Sequence, residues 1–553
     1  MKQKLICRYV YTVRHLKFGQ LMYRVFYRLK KIKLNVSIKS ISVRAWQQRW
    51  LAPEVMPSAC LDNKKFVFLG EKACLDENNL WNSPTRSKLW LYNLHYFDLM
   101  SAVGADTKQA IIHTLTQRWI QENPPLQGNG WEPYPLSLRV VNWIKWFSKH
   151  PEYINDAVQQ SLVLQGTALR KQLEYHILGN HLFANAKALV FIGCYFDGVE
   201  ATSWLAKGLQ LLDREIPEQF LLDGGHFERS PMYHATLLWD MCDLYNLALR
   251  TGLQALLIRK HQWEGVIQRG LIWLACMTHP DGDVSFFNDS TFGIAPKLND
   301  LETYAKQLAI TTIKASAMPS IFSLHDLKNT GYAVVDLPER SKLIMDIGEV
   351  GPDYQPGHAH ADTLSFELSL WGQRFIVNSG ISCYGQSVLR EYQRSTKAHN
   401  TACVSGLSSS ETWAGFRVAR RASPKDLSIQ ATPEKCVITC THDGYLRLPG
   451  NVLHQRTWDV KKNNLSIRDV ITEKFQEAEV RYYFHPEVQL KHVSQCIVEA
   501  QLTANQSVKI IVVGAHRCML EKSYWYPAFG ASQENHCLVI KFDRPELSMH
   551  IEW

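Results

Sequence analysis

Residues 363–370 read TLSFELSL and residues 156–178 read DAVQQSLVLQGTALRKQLEYHIL, and the change of period between them decides the fold. In the first, apolar residues alternate with polar ones, the pattern of a strand that buries one face. In the second they return every three to four positions, the pattern of a helix that buries one stripe. Residues 181–193, 202–220 and 231–250 repeat the helical period between short loops, as stacked helical hairpins do. From Gly331 onward the runs are short and alternating: 342–346 (KLIMD), 374–377, 436–440 (CVITC), 508–513 and 537–542. Turn residues separate them, as in Trp371-Gly372-Gln373 and His442-Asp443-Gly444. The expected architecture is multidomain α and β. It comprises a basic arm and lead-in over residues 1–79, a helical domain over 80–320 and a β-sandwich-type domain over 331–553. The switch falls near Pro319.

A chain of 553 residues is several times the usual domain size. With 46% hydrophobic and 20% charged residues it reads as globular, and no apolar run reaches the roughly 18 residues of a membrane span. Thirteen scattered cysteines in so long a chain do not form a disulfide framework. Charge is uneven: residues 1–53 hold 13 of the 61 Lys and Arg and none of the 52 Asp and Glu, leaving 48 basic against 52 acidic in the remainder. The arm interleaves Tyr, Leu, Val and Phe with its basic residues, which suits an anionic membrane surface as well as packing on the body. It lacks the layout of a secretion signal, so a cytoplasmic or peripheral inner-membrane location is expected from the arm. Nucleic acid is not an expected partner.

Four segments carry groups able to do chemistry. In 356–366, PGHAHADTLSF, an extended chain would project His358, His360 and Asp362 to one face. Downstream, RFIVNSGISCYG (374–385) and REYQRSTKAHNT (390–401) bring Asn378 and His399, and His399 is placed to return a nitrogen toward His360. In 179–181, Gly-Asn-His interrupts the helical pattern, so Asn180 and His181 fall at a helix start, where free amides and the helix dipole favour a carboxylate. In 223–234, DGGHFERSPMYH, Ser230-Pro231 reads as an N-cap followed by an N1 proline, which puts Tyr233 in the first turn behind Glu228. In 129–143, NGWEPYPLSLRVVNW, Trp131, Tyr134 and Arg139 offer sugar-stacking faces and a carboxylate fork. Each group also has a structural reading: a bonded His pair in a loop, an N-cap, a packed tyrosine, space-filling tryptophans.

Taken in order, WEPYPLSLRVVNW, GNHLFANAKAL, DGGHFERSPMYH, GHAHADTLSFEL, FIVNSG and RSTKAHNT give the chain, from about Leu80 to Trp553, a sequence that resembles the heparinase II/III-like polysaccharide lyases and related alginate lyases. The resemblance implies an incomplete (α/α) toroid followed by an antiparallel β-sandwich, with the active site in the cleft between them. It implies that Asn180 and His181 neutralise a uronate carboxylate, that Tyr233 is a general acid/base and that His358 is the catalytic histidine. Glu228 and Tyr392 join Trp131, Tyr134 and Arg139 as substrate-binding positions. His360 and His399 fall on metal-ligand positions for one divalent ion, zinc, but Asn378 stands where the acidic ligand is expected. The family suggests the cell envelope or periplasm.

The implied reaction is β-elimination on a uronic-acid polysaccharide. The C5 proton of the uronate leaves to a base and the 4-linked oxygen is expelled, once the carboxylate charge is offset. Two rivals remain at this point. A glycoside hydrolase on the same toroid would need two opposed carboxyl groups, with Asp223, Glu228 and Asp353 as candidates. A non-catalytic glycan-binding protein of envelope polysaccharide synthesis would need neither.

Overall fold

The computed structural model describes residues 2–30, 32–34, 41–62, 65–74, 77, 79–311, 322–472, 475–494 and 496–553. Apart from a few short strands early in the chain, helices run as far as Leu298–Gln307, and a strand-rich half begins at Ser323–Leu327. Pro319 lies outside the described residues.

Short loops make sequential helices antiparallel neighbours. Gly179–Tyr195 packs on Pro133–Lys149 and on Val199–Gln219, while Pro231–Thr251 packs on Lys260–Met277. Gly179–Tyr195 is buried on almost every side, which is why its sequence is apolar nearly all round. Val199–Gln219 approaches it closely at Gly208, where a Cβ would sit 2.8 Å from the Ala186 carbonyl oxygen. Charge ties the bundle as well. Asp243 accepts hydrogen bonds from Lys145 and Lys187, each at 2.5 Å, and from Tyr304 at 3.0 Å, so one carboxylate joins four helices.

In the second half, Ser323–Leu327, Tyr332–Leu337, Ser341–Asp346, Phe366–Leu370 and Gln373–Ile376 form an antiparallel meander. Its last hairpin turns at Trp371 and Gly372, with φ of 52° and 85°, the left-handed pair that suits strand twist. A bridge from Ile376 to Phe484 carries the meander into a four-stranded sheet. An eight-stranded antiparallel sheet, from Pro424–Ala431 to Gln489–Ser494, covers both. Leu343, Leu368, Val480 and Ile540 meet Ile438, Trp458, Ile467 and Ile551 in one core.

Ser341–Asp346 is buried at every position because its other face rests on the helical half. There Val334 and Ile344 pack with Trp273, Met277 and Phe287. From this strand Lys342 Nζ donates to the carbonyl oxygens of Ala275, Cys276 and Thr278 at 2.9–3.2 Å, placing a cation on the C-terminus of Lys260–Met277. The basic arm forms two helices, Lys2–Val13 and Phe18–Leu29, seated across both halves. Gln20 Nε2 donates to the Ile177 and Tyr354 carbonyl oxygens, each at 3.2 Å.

Two local expectations fail. The helix expected over 156–178 stops at Lys171, and Leu178 and Gly179, with φ of 70° and 56°, turn the chain before the next helix. Residues 358–365 are not extended: the strand begins at Phe366, and Leu364 has φ of 64°.

Candidate active site

The turn at Leu178–Gly179 starts the Gly179–Tyr195 helix with Asn180 and His181 in its first turn. The Asn180 amide N–H is directed at Glu228 Oε1, 3.5 Å away, and the Asn180 side-chain oxygen is buried without a partner. His181 Nδ1 lies 2.9 Å from Glu174 Oε1, and Asn185 holds the other Glu174 oxygen at 3.0 Å. Burial opposes charge on His181, but the Glu174 carboxylate outweighs it and raises the imidazole above its ordinary value. The Tyr134 ring covers His181, centroid to centroid 4.4 Å.

The next helix supplies the phenol. Ser230 Oγ accepts from the Tyr233 amide at 3.1 Å and Pro231 occupies the first helical position, so Tyr233 sits in the first turn of Pro231–Thr251. Its ring lies 3.9 Å from that of His358, and its hydroxyl is 3.0 Å from the Tyr384 hydroxyl. Burial, with the neighbouring Tyr384 phenol, pushes Tyr233 well above the usual phenol value, so it keeps its proton at neutral pH. His358 Nε2 is 3.7 Å from Glu228 Oε2, which links this pair to Asn180, and burial raises the Glu228 carboxyl.

Asp289 fixes the imidazoles. Its Oδ2 accepts from His358 Nδ1 at 2.9 Å and its Oδ1 from His360 Nε2 at 2.8 Å, while Arg390 grips both oxygens at 2.5 and 2.7 Å. Burial opposes ionisation of Asp289, but the Arg390 guanidinium and the two histidine bonds hold it well below the usual carboxylate range. His358 and His360 thus share a partner although their loop is a run of turns rather than a strand. An N–H on His358 Nδ1 leaves Nε2, on the Glu228 side of the ring, able to accept a proton.

Behind this group, His360 Nδ1 and His399 Nε2 face each other at 3.2 Å. Their far nitrogens are spoken for: His360 Nε2 by Asp289, and His399 Nδ1 by Asn378 Oδ1 at 3.2 Å. With those protons outward, both inward nitrogens carry lone pairs. Asp362 adds a carboxylate oxygen, and the three ligand atoms lie within 4.8 Å of one another. Asn378 corrects the expectation of a ligand there, because its amide oxygen faces the far side of His399.

Trp131 and Arg139 do not reach this cluster. Trp131 is buried, with its indole N–H on the Asn123 carbonyl oxygen, and Arg139 is enclosed, bonding Gln165, the His95 oxygen and the Gly130 oxygen over the Trp119 ring. Five residues along a helix rotate by about 140°, so a Tyr134 facing His181 turns Arg139 inward. Tyr392 hydrogen-bonds the Tyr483 hydroxyl at 2.9 Å, and the tyrosine that meets Tyr233 is Tyr384. Sequence reasoning missed Asp289, Arg390, Glu174 and Tyr384. Tyr384 and Arg390 lie inside segments already singled out, whereas Asp289, in FFNDS, has no local signal.

Stacked helical hairpins closing on an antiparallel sandwich over a histidine, tyrosine and asparagine cluster define a class of two-part toroid and sandwich proteins. Within it, the chain belongs to the heparinase II/III family. The family model Heparinase II/III N-terminus matches residues 10–310, and Heparinase II/III-like, C-terminal matches residues 322–553. A heparin-sulfate lyase of Bacteroides stercoris is 25% identical over 351 residues, covering 56% of this chain and 52% of that protein. A heparin-sulfate lyase of Pedobacter heparinus is 25% identical over 315 residues, covering 51% of this chain and 46% of that protein. The matched region thus spans about half the length of either lyase. In three dimensions the fold is similar to the crystal structure of heparinase III, with a TM-score of 0.71 at 18% identity over 96% of this chain and 89% of that one. It is also similar to heparan sulfate lyase HepC from Pedobacter heparinus, with a TM-score of 0.55 at 17% identity over 86% and 78% of the two chains.

Proposed function

We propose that the protein is a polysaccharide lyase that cleaves a uronic-acid-containing glycan by β-elimination. The observation that carries this reading is the contact between Tyr233 and His358, ring to ring at 3.9 Å, beside a helix start bearing Asn180 and His181. His181, raised by Glu174, and the side-chain amide of Asn180 offset the uronate carboxylate and the charge that spreads into it as the C5–H bond breaks. His358 Nε2 takes the C5 proton, and the freed electron pair forms the C4–C5 double bond as the C4–O bond breaks. Tyr233, still protonated, gives its proton to the departing oxygen. The proton on His358 then returns to the adjacent phenolate. Asp289 holds the Nδ1 proton of His358, which leaves Nε2 as the atom that accepts the C5 proton.

Hydrolysis fits these positions poorly. Asp223 is bound by the Thr330 amide and hydroxyl, and Asp353 is exposed and paired with Arg421, so neither opposes Glu228 across a sugar.

The residues also fit one divalent ion. Two inward lone pairs 3.2 Å apart match the spacing of about 3.3 Å between nitrogens on tetrahedral zinc, and Asp362, a carboxyl that burial raises, offers the acidic ligand that Asn378 cannot. His360, His399 and Asp362 would hold the ion. Bound there, it supplies positive charge behind Asp289 and secures the loop that carries His358.

The test is turnover on heparin-type, alginate and bacterial capsular uronates, read as ultraviolet absorbance of the new double bond. Tyr233→Phe is expected to lower turnover by about 10²–10⁴-fold with glycan affinity retained. Tyr384→Phe, which removes one hydrogen bond to the phenol, is expected to cost about tenfold. Reducing ends without absorbance would mean hydrolysis, and binding without turnover across the panel would mean a glycan-binding protein.

A further inference from the structure

The N-terminal helices are amphipathic in the reverse sense of an ordinary surface helix. In Phe18–Leu29 the residues turned to the body are Gln20, Tyr23 and Tyr27, which make polar and ring contacts to it. Phe18, Leu21, Met22, Val25, Phe26 and Leu29 are exposed, with Phe18 76% and Leu29 79% accessible. Their spacing of i, i+3, i+4, i+7, i+8 and i+11 places them on one stripe, on the side opposite Gln20, Tyr23 and Tyr27. Lys2–Val13 also leaves apolar side chains outside. The Thr12 hydroxyl accepts from the Trp413 indole and donates to the Val418 oxygen, and the Tyr9 ring packs edge-on against Trp413 at 4.8 Å, while Leu5, Ile6, Val10 and Val13 are exposed.

An apolar stripe of this length is covered by something in a stable state. The charge around it selects the occupant. Arg8, Arg14, Arg24, Arg28 and Lys30 are exposed along the two helices, Lys17 being paired with Glu218, and residues 1–53 contain no acidic side chain. A second copy seated face to face would set these cations against their own kind. A soluble polyanion would answer the charge but leave Phe18, Val25 and Leu29 in water. An anionic bilayer accommodates both, with apolar side chains at the acyl boundary and about 1 kcal/mol from each Lys or Arg near the lipid headgroups. Among the described residues no helix is long and apolar enough to cross a membrane, so the contact is one of lying on the surface.

We propose that the two N-terminal helices dock the protein on an anionic phospholipid bilayer through this outward stripe. The docking geometry involves the candidate active site. Gln20 bonds the Ile177 oxygen, three residues before Asn180, and the Tyr354 oxygen, four residues before His358. The helix that touches lipid therefore ties together the two segments that lead into Asn180 and His358.

The experiment is flotation of the full chain with vesicles of phosphatidylcholine alone and of phosphatidylcholine with phosphatidylglycerol. Partition onto the mixed vesicles is expected to exceed that onto neutral ones by at least about tenfold and to fall in high salt. A Phe18→Glu/Val25→Glu variant is expected to lose that partition while keeping its melting temperature and its turnover of soluble substrate. Arg8→Glu/Arg28→Glu is expected to lose the preference for anionic lipid. Equal flotation of parent and both variants overturns the proposal, as does a lipid-free dimer that the first variant dissolves. Neither result touches the lyase reading, which rests on residues outside the arm.

Discussion

Asp289 holds His358, His360 and Arg390 with two oxygens, so one carboxylate orients both the proposed base and the histidine behind it. The two histidines were legible as a pair in GHAHAD, and Tyr233 was legible from Ser230-Pro231, because a cap and an N1 proline are local signals. Asp289 was not, because it reaches the site only through folding of a segment 69 residues away from His358. The protein as purified is expected to carry about one divalent ion per chain by emission spectrometry, and zinc added after chelation is expected to raise its melting temperature. His399→Ala is expected to lose both effects. A parent with no bound metal and no shift would end that assignment.

At the scale of elements, helix starts and stops followed their local signals well, save where Leu178 and Gly179 enter the left-handed region and shorten the preceding helix. Period alone did not show how the helices hold together. Lys145, Lys187 and Asp243 meet in the bundle, where burial lowers the Lys145 ammonium despite Asp243, whereas Asp240 and Asp243 together outweigh burial and raise that of Lys187. Asp243→Ala leaves two buried ammonium groups without that partner and is expected to destabilise the helical half by about 3–5 kcal/mol, read by chemical denaturation. A loss below about 1 kcal/mol would show that Asp240, which also pairs with Lys187, suffices alone.

Over the whole molecule, the meander is packed on both faces, against the sandwich core on one side and Trp273, Met277 and Phe287 on the other. Such a shared layer couples the two halves, so calorimetry is expected to show a single main unfolding transition. Lys342→Ala removes a cation that bonds three carbonyl oxygens across the junction. It is expected to cost about 1.5–3 kcal/mol and to broaden or split that transition. Two well-separated transitions in the parent would mean that the junction does not bind the halves into one unit. KLIMD, read as an alternating strand, is buried throughout for this reason, which one strand's sequence does not reveal.

The order of helical and strand-rich regions, the first-turn placement of Asn180, His181 and Tyr233, and the unbalanced charge of the arm were all written in the amino-acid order. Periodicity, caps and composition are properties of neighbouring residues, so they survive without a fold. Tertiary structure alone decided that Arg139 and Trp131 are interior, that Tyr384 rather than Tyr392 meets Tyr233, and that Asn378 stands behind His399. It also decided that the arm turns its apolar stripe away from the body. Each of these depends on which face of an element meets a partner far along the chain, and that is fixed by packing and not by period.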